Sequence, residues 1–73
     1  MNIEEIKQKV GEAFLFHEAI CITFRDDREP RWCIVNAVNS RECDIQFNTV
    51  LNDGFFVTAL ATISYNDILK VSI

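Results

Sequence analysis

The residues of this chain that could perform chemistry are its single histidine, His17, and three cysteines, Cys21, Cys33 and Cys43. Because His17 is the only histidine, any arrangement of a nucleophile with a histidine base would have to use it. The sequence pattern places this histidine at the end of a helix. It places each cysteine inside a strand rather than at a helix N-terminus, where thiols become reactive. No catalytic residue is therefore predicted, and we do not expect an enzyme.

The same residues lack the spacing of a metal site. Zinc sites usually draw ligands from close pairs such as Cys-x-x-Cys, whereas these cysteines are separated by twelve and ten positions. A phosphate-binding loop needs several glycines, and the chain has only Gly11 and Gly54. We therefore expect neither a metal nor a cofactor.

The charge balance limits the classes of binding partner, and the cysteine usage indicates the cell compartment. Eleven acidic and seven basic residues leave a net charge of −4, which disfavours general affinity for nucleic acid or anionic membranes. Glu4 and Glu5 stand where a secretory signal would be basic, and the odd number of cysteines predicts reduced thiols in a cytoplasm. The longest apolar run, near 55–61, is too short to span a membrane.

The first part of the chain has the pattern of an amphipathic helix. Asn2, with Glu5 three residues later, resembles a capping box and predicts a helix start. The apolar residues that then fall on one stripe are Ile3, Ile6, Val10 and Phe14. The sequence predicts a helix over about 3–16.

From residue 19 the hydrophobic period changes from helical to two, which is typical of strands. The predicted strands cover about 19–25, 31–38, 42–49, 55–63 and 68–73. Asp53 and Gly54 suit the positive dihedral angles of a two-residue type I′ loop, which would place Phe47 opposite Leu60. In that register Ile45, Phe47 and Leu51 share one face with Phe56 and Leu60.

The opposite face of the fourth strand is apolar as well, and its residues are Phe55, Val57, Ala59, Ala61 and Ile63. A strand exposed to water on one side should alternate with polar residues, so this face must be covered. The helix, the curl of the sheet or another copy of the chain could cover it. Phe55, Val57, Ala59 and Ala61 are therefore the interface candidates, and a homo-oligomer is expected.

The order of the elements resembles a small, strongly bent barrel. The residues that carry the resemblance are Ile63-Ser64-Tyr65-Asn66-Asp67-Ile68-Leu69-Lys70-Val71, similar to the strand, helical turn and strand that close Sm-like and SH3-like barrels. The resemblance implies a mainly β (α+β) single domain: an N-terminal helix and a five-stranded, strongly bent antiparallel sheet closing into a barrel. The third strand has no Asp-x-x-x-Asn, and Ser64 replaces the closing glycine of the Sm signature. The RNA-contacting residues of that family are therefore not carried over.

An arginine cluster keeps nucleic acid open as an alternative. Its members, with one aromatic residue, are Arg25, Arg28, Arg31, Trp32 and Arg41. Arginine beside an aromatic ring can stack on bases and bind phosphates, but Asp26, Asp27 and Glu29 neutralise the turn. The leading hypothesis is a non-enzymatic interaction or inhibitor-type module that binds protein and self-associates. The alternative is an Sm-like oligomer that binds RNA or a nucleotide.

Overall fold

The computed structural model describes residues 1–26 and 29–72 of the chain. The elements in chain order are helix α1 (Ile3–Phe16), strands β1 (Ile20–Phe24), β2 (Arg31–Val38), β3 (Glu42–Val50) and β4 (Phe56–Ser64), a 3₁₀ turn (Tyr65–Asp67) and strand β5 (Ile68–Ser72). Every strand pair is antiparallel. The structure thus confirms the predicted class, a helix followed by five antiparallel strands.

Both ends of α1 are capped as its sequence allows. The Asn2 side chain accepts a hydrogen bond of 2.9 Å from the Glu5 backbone N–H. At the other end His17 adopts the left-handed conformation, with φ of 56°. The Glu18 N–H then donates to the Ala13 carbonyl at 3.0 Å, as in a Schellman motif.

The buried stripe of α1 differs from the predicted one. Ile6, Val10 and Ala13 are buried, and α1 packs against β2, β5 and the 3₁₀ turn. Ile3 and Phe14, which the periodicity assigned to the stripe, are exposed. A spacing of four leads from Ile6 to Val10, and a spacing of three leads from Val10 to Ala13. Both spacings keep residues on one face of a helix, so position 13 lies over the sheet and position 14 does not.

The five strands form one sheet in the order β4-β3-β2-β1-β5. The predicted barrel closure is wrong: β4 and β5 are the two edges, and within residues 1–26 and 29–72 no ladder joins them. β4 pairs with β3 up to Ser64 and β5 pairs with β1, so the 3₁₀ turn connects the two edges without pairing them. Register shifts between Thr23 and Phe24, and between Val35 and Ala37, mark irregularities that bend the sheet.

The core lies between α1 and one face of the sheet, which we call the inner face. Its buried hydrophobic residues are Ile6, Val10, Ala13, Ile20, Ile22, Cys33, Val35, Cys43, Ile45, Tyr65, Ile68 and Val71. Phe24, Phe47, Ala61 and Ile63 pack against them while partly exposed. The opposite face of the sheet is the outer face. No helix of the described residues has the length and apolarity to cross a membrane.

The β3–β4 hairpin has a different loop from the predicted one. The Gly54 N–H donates to the Leu51 carbonyl at 2.9 Å, and the Leu51 N–H donates to the Phe55 carbonyl at 2.8 Å. Together with the positive φ of Gly54, 88°, these bonds define a three-residue loop with a glycine bulge. Phe47 therefore faces Ala59, not Leu60.

This difference of one residue exchanges the two faces of β4, because side chains alternate with a period of two. Cys43 faces Ile63 and Ile45 faces Ala61, so the small side chains of β4 lie on the inner face. The predicted arrangement, with Phe56 and Leu60 sharing a face with Ile45 and Phe47, is wrong. Phe56 and Leu60 lie on the outer face.

Candidate functional site

Two of the residues that could perform chemistry, Cys33 and Cys43, are buried in the core. Burial, with the nearby Cys43 adding to it, raises the pKa of Cys33 to about 12. Burial and the neighbouring Asp44 carboxylate raise the pKa of Cys43 to about 11. His17 is exposed at the end of α1. Both buried thiols thus stay protonated near neutral pH, where a nucleophile needs the thiolate.

The side chains that could ligate a metal are dispersed over the fold. Across the described ranges, no group of three or more His, Cys, Asp or Glu side chains is placed to hold a metal ion. Cys21 is half-buried in β1 opposite Trp32, whereas Cys33 and Cys43 point into the core. The two buried cysteines are part of the hydrophobic core.

Two of the arginines flank the 3₁₀ turn. The Arg25 Nε donates to the Asn66 carbonyl at 3.0 Å, and its backbone N–H donates to the Asp67 carbonyl at 2.9 Å. On the other side of the turn, the Arg41 carbonyl accepts from the Tyr65 N–H at 3.1 Å. Arg25 thus uses part of its guanidinium to hold the backbone that connects β4 to β5.

Two further nucleic-acid candidates, Arg31 and Trp32, lie on opposite faces of the sheet. The Arg31 guanidinium lies 5.7 Å from the centroid of the Phe47 ring, on the inner side of the sheet. Trp32 is the next residue in the strand, so its side chain points to the outer face. Arg28 lies outside the described residues. The structure therefore divides these candidates among the 3₁₀ turn, the inner face and the outer face.

The predicted interface residues occupy the loop and the inner face of β4. Phe55 lies in the hairpin loop and is 69% exposed. Val57 is 38% exposed, and Ala59 is half-buried. Ala61 is half-buried and packs against the core. The end of this face nearest Ala61 thus packs against the core, and α1 does not pack against β4 as it does against β2.

The larger exposed apolar surface is on the outer face, and we call it the outer patch. Its residues are Trp32, Ile34, Val50, Phe56 and Leu60. Phe56 is 76% exposed, Leu60 74% and Trp32 61%. Val50 lies directly opposite Phe56, and Gln46 lies between Ile34 and Leu60 in the cross-strand register. The patch therefore runs across β2, β3 and β4.

Polar side chains between the patch residues are held by cross-strand hydrogen bonds. The Thr58 hydroxyl donates to Asn48 Oδ1 at 3.2 Å, and the Thr62 hydroxyl donates to Asp44 Oδ1 at 2.7 Å. Asn36 Nδ2 donates to the oxygen of the Gln46 side chain at 3.1 Å. These bonds restrict the rotamers of the exposed polar side chains on the outer face.

Sequence reasoning missed the outer patch because it used the wrong hairpin register. One sequence signal indicates this patch. Thr58 and Thr62 alternate with Phe56 and Leu60 on one face of β4, and such a mixture of polar and apolar residues is typical of a solvent-exposed face. The other face of β4 is uniformly apolar, as a core face should be. This difference agrees with the register that the structure has, but the large apolar residues Phe56 and Leu60 also suit a core face, so composition alone does not decide the register.

Comparison with known proteins gives no relative: no family model, no curated protein and no solved structure matches the chain. The helix and the five-stranded antiparallel sheet are compatible with a small β-barrel-like fold. The Sm-like or SH3-like assignment stays a prediction.

Proposed function

We propose that this protein is a non-enzymatic protein-binding module that associates with itself through the outer patch. The observation that carries the proposal is the exposure of Trp32, Phe56 and Leu60 on one ordered sheet face. Aromatic residues of this kind, surrounded by smaller contacts, are the usual anchors of protein interfaces.

The size of the patch supports the proposal. Aromatic side chains cover ~150–250 Å² each, so the exposed fractions of Trp32 and Phe56, 61% and 76%, contribute about 200–350 Å², to which Ile34, Val50 and Leu60 add. The largest apolar patch of a typical monomer is about 300–600 Å² and is often functional. A standard interface buries about 800 Å² per partner, so the patch can supply a substantial part of one side.

Charge also favours an apolar contact here. No residue of β4 is charged, so two copies can approach along this strand without placing like charges opposite each other. The net charge of −4 on each copy does oppose association at long range. Added salt screens that repulsion, and we expect it to strengthen self-association modestly.

Sedimentation equilibrium of the full chain at tens of micromolar tests the proposal. The wild type should have a mass above that of one chain, and Leu60→Asp should be monomeric because it buries a charge in the interface. Leu15→Asp is the matched control, since Leu15 is 68% exposed on α1 and lies away from the patch. A wild type that stays monomeric overturns the proposal, as does equal dissociation by both variants.

A further inference from the structure

β4 is an edge strand without the usual protection. Its nine residues, Phe56–Ser64, include no charge, no proline and no glycine. Edge strands of monomeric proteins usually carry lysine, proline or a bulge, or are short, because an open row of N–H and C=O groups pairs with other strands. The other edge, β5, has five residues and carries Lys70. The unprotected edge is therefore β4.

The hairpin geometry shows which backbone groups of β4 face this open edge. Leu51 and Phe55 form a hydrogen-bonded pair at the loop. Hydrogen-bonded pairs recur at every second position of an antiparallel ladder, so Val57, Ala59 and Ala61 direct their N–H and C=O groups toward β3. The backbone groups of the alternate residues, Phe56, Thr58, Leu60 and Thr62, point away from β3. These are the groups a further strand would pair with.

We infer that two copies of the chain join edge to edge, by antiparallel pairing of β4 with β4 of the second copy about a two-fold axis at Thr58. This inference rests on the proposed function, since it specifies how self-association occurs. The pairing is isologous, which closes at a dimer and leaves no further β4 edge. It brings Phe56 and Leu60 of the two outer patches into contact, whereas Trp32 lies two strands away from the new ladder and keeps its exposure.

The choice of Thr58 for the axis follows from the side chains. Because Phe56, Thr58 and Leu60 direct their backbone groups away from β3, each of them must pair in the new ladder with a residue of the second copy whose backbone groups also point away from β3. With the axis at Thr58, Phe56 meets the partner's Leu60 and Leu60 meets the partner's Phe56. With the axis at Leu60, Phe56 would instead meet the partner's Ser64. Aromatic–aliphatic pairs are favourable across strands, so the first register covers more of the exposed apolar surface.

Cysteine cross-linking measures this register. In a Cys21→Ser background, which removes the half-buried native thiol, Thr58→Cys places two thiols on directly opposed residues. The Cα atoms of a hydrogen-bonded pair are about 5.5 Å apart, within the range of a disulfide. Oxidation with oxidised glutathione should therefore give a covalent dimer. The native Cys33 and Cys43 are buried and should not contribute.

Thr62→Cys is the matched control, because both threonines are exposed on the same face and each donates one cross-strand hydrogen bond. In the inferred register the two thiols introduced by Thr62→Cys lie about 26 Å apart, since they are offset by about eight positions along the new ladder. We expect at least about tenfold more cross-linked dimer for Thr58→Cys than for Thr62→Cys. Leu60→Cys should also cross-link weakly, at a separation of about 13 Å.

The outcomes separate this inference from the proposed function. A wild-type dimer in which positions 58 and 62 cross-link equally, or in which position 60 dominates, overturns the β4 register and leaves self-association standing. An assembly larger than a dimer also overturns it, because it would indicate pairing of β4 with a different surface. A monomeric wild type overturns both.

Discussion

The Tyr65 hydroxyl donates a hydrogen bond of 2.9 Å to the carbonyl oxygen of Asn39. This bond connects the 3₁₀ turn to the turn between β2 and β3. The Tyr65 ring is buried, and the Lys7 ammonium of α1 lies 5.9 Å from its centroid. One side chain thus links the helix, the β2–β3 turn and the connection between the two sheet edges.

Removing the Tyr65 hydroxyl should therefore cost stability without changing the fold. Tyr65→Phe leaves the Asn39 carbonyl without this donor, and we expect the free energy of unfolding to fall by about 1 kcal/mol. Urea denaturation followed by circular dichroism measures it. Thr58→Val removes an exposed hydrogen bond and should change stability by less than about 0.5 kcal/mol. Equal effects of the two changes would contradict the structural role of Tyr65.

The two glycines should respond to the same substitution with opposite signs. An added Cβ would meet no atom within 4 Å at either Gly11 or Gly54, so backbone conformation alone decides the effect. Gly54→Ala forces a side chain into a positive φ and should destabilise by about 1 kcal/mol. Gly11→Ala lies within α1 and should stabilise by about 0.5–1 kcal/mol.

Thermal or urea unfolding measures the stability of the two alanine variants relative to the wild type. A stabilised Gly54→Ala variant would argue against the glycine bulge, because a residue with negative φ would gain from the added Cβ. It would argue equally against the register that places Phe56 and Leu60 on the outer face, since the bulge sets that register.

The raised pKa values of the two buried thiols predict that the protein loses stability at alkaline pH. Burial raises the pKa of Cys33 to about 12 and that of Cys43 to about 11, from 9.0. Above pH 9 the unfolded chain therefore releases protons that the folded chain retains, so the free energy of unfolding falls as pH rises from about 9 toward 11–12. The slope is at most about 1.4 kcal/mol per pH unit for each thiol.

Urea unfolding under a reductant at a series of pH values measures that slope. Cys33→Ala should reduce it, at the cost of a lower stability at neutral pH. Cys21→Ser is the control, because Cys21 is only half-buried on the outer side of β1. An unchanged slope in Cys33→Ala would assign the alkaline loss to other groups.

The single tryptophan reports on the outer patch directly. Trp32 is 61% exposed in the isolated chain, so its emission should be that of a solvated indole at low protein concentration. If the outer patch self-associates, the emission maximum should move to shorter wavelength as concentration rises. Leu60→Asp should remove this dependence and Leu15→Asp should preserve it. Constant emission across the range in which the mass changes would contradict burial of the whole outer patch and would agree with edge-to-edge pairing of β4, which leaves Trp32 two strands away from the new ladder.

The nucleic-acid hypothesis and the self-association hypothesis predict opposite effects of salt on binding. Arg25, Arg31 and Trp32 lie on different surfaces, so we expect no detectable binding of single-stranded RNA at low salt. Binding that weakens steeply as salt is added would support the alternative function. Self-association through an apolar patch should change in the opposite direction, because screening reduces the repulsion between acidic copies. Fluorescence anisotropy with labelled oligonucleotides gives the measurement.

Local signals account for the elements that sequence reasoning predicted well. Asn2 at the start of α1 and the change of period near residue 19 act over a few residues, and the observed helix and strands follow them. The buried stripe of α1 was only partly predictable, since positions 13 and 14 are both compatible with helical spacing.

The sequence by itself determined the number, type and order of the elements, because hydrophobic period and capping are local properties. Only the tertiary structure decided which face of β4 meets the core and that β4 and β5 stay apart as edges. The physical reason lies in β4 itself: large apolar residues occur on both of its faces, so the pattern could not choose between registers one residue apart. The Gly54 bulge and packing of Ala61 and Ile63 against the core made that choice.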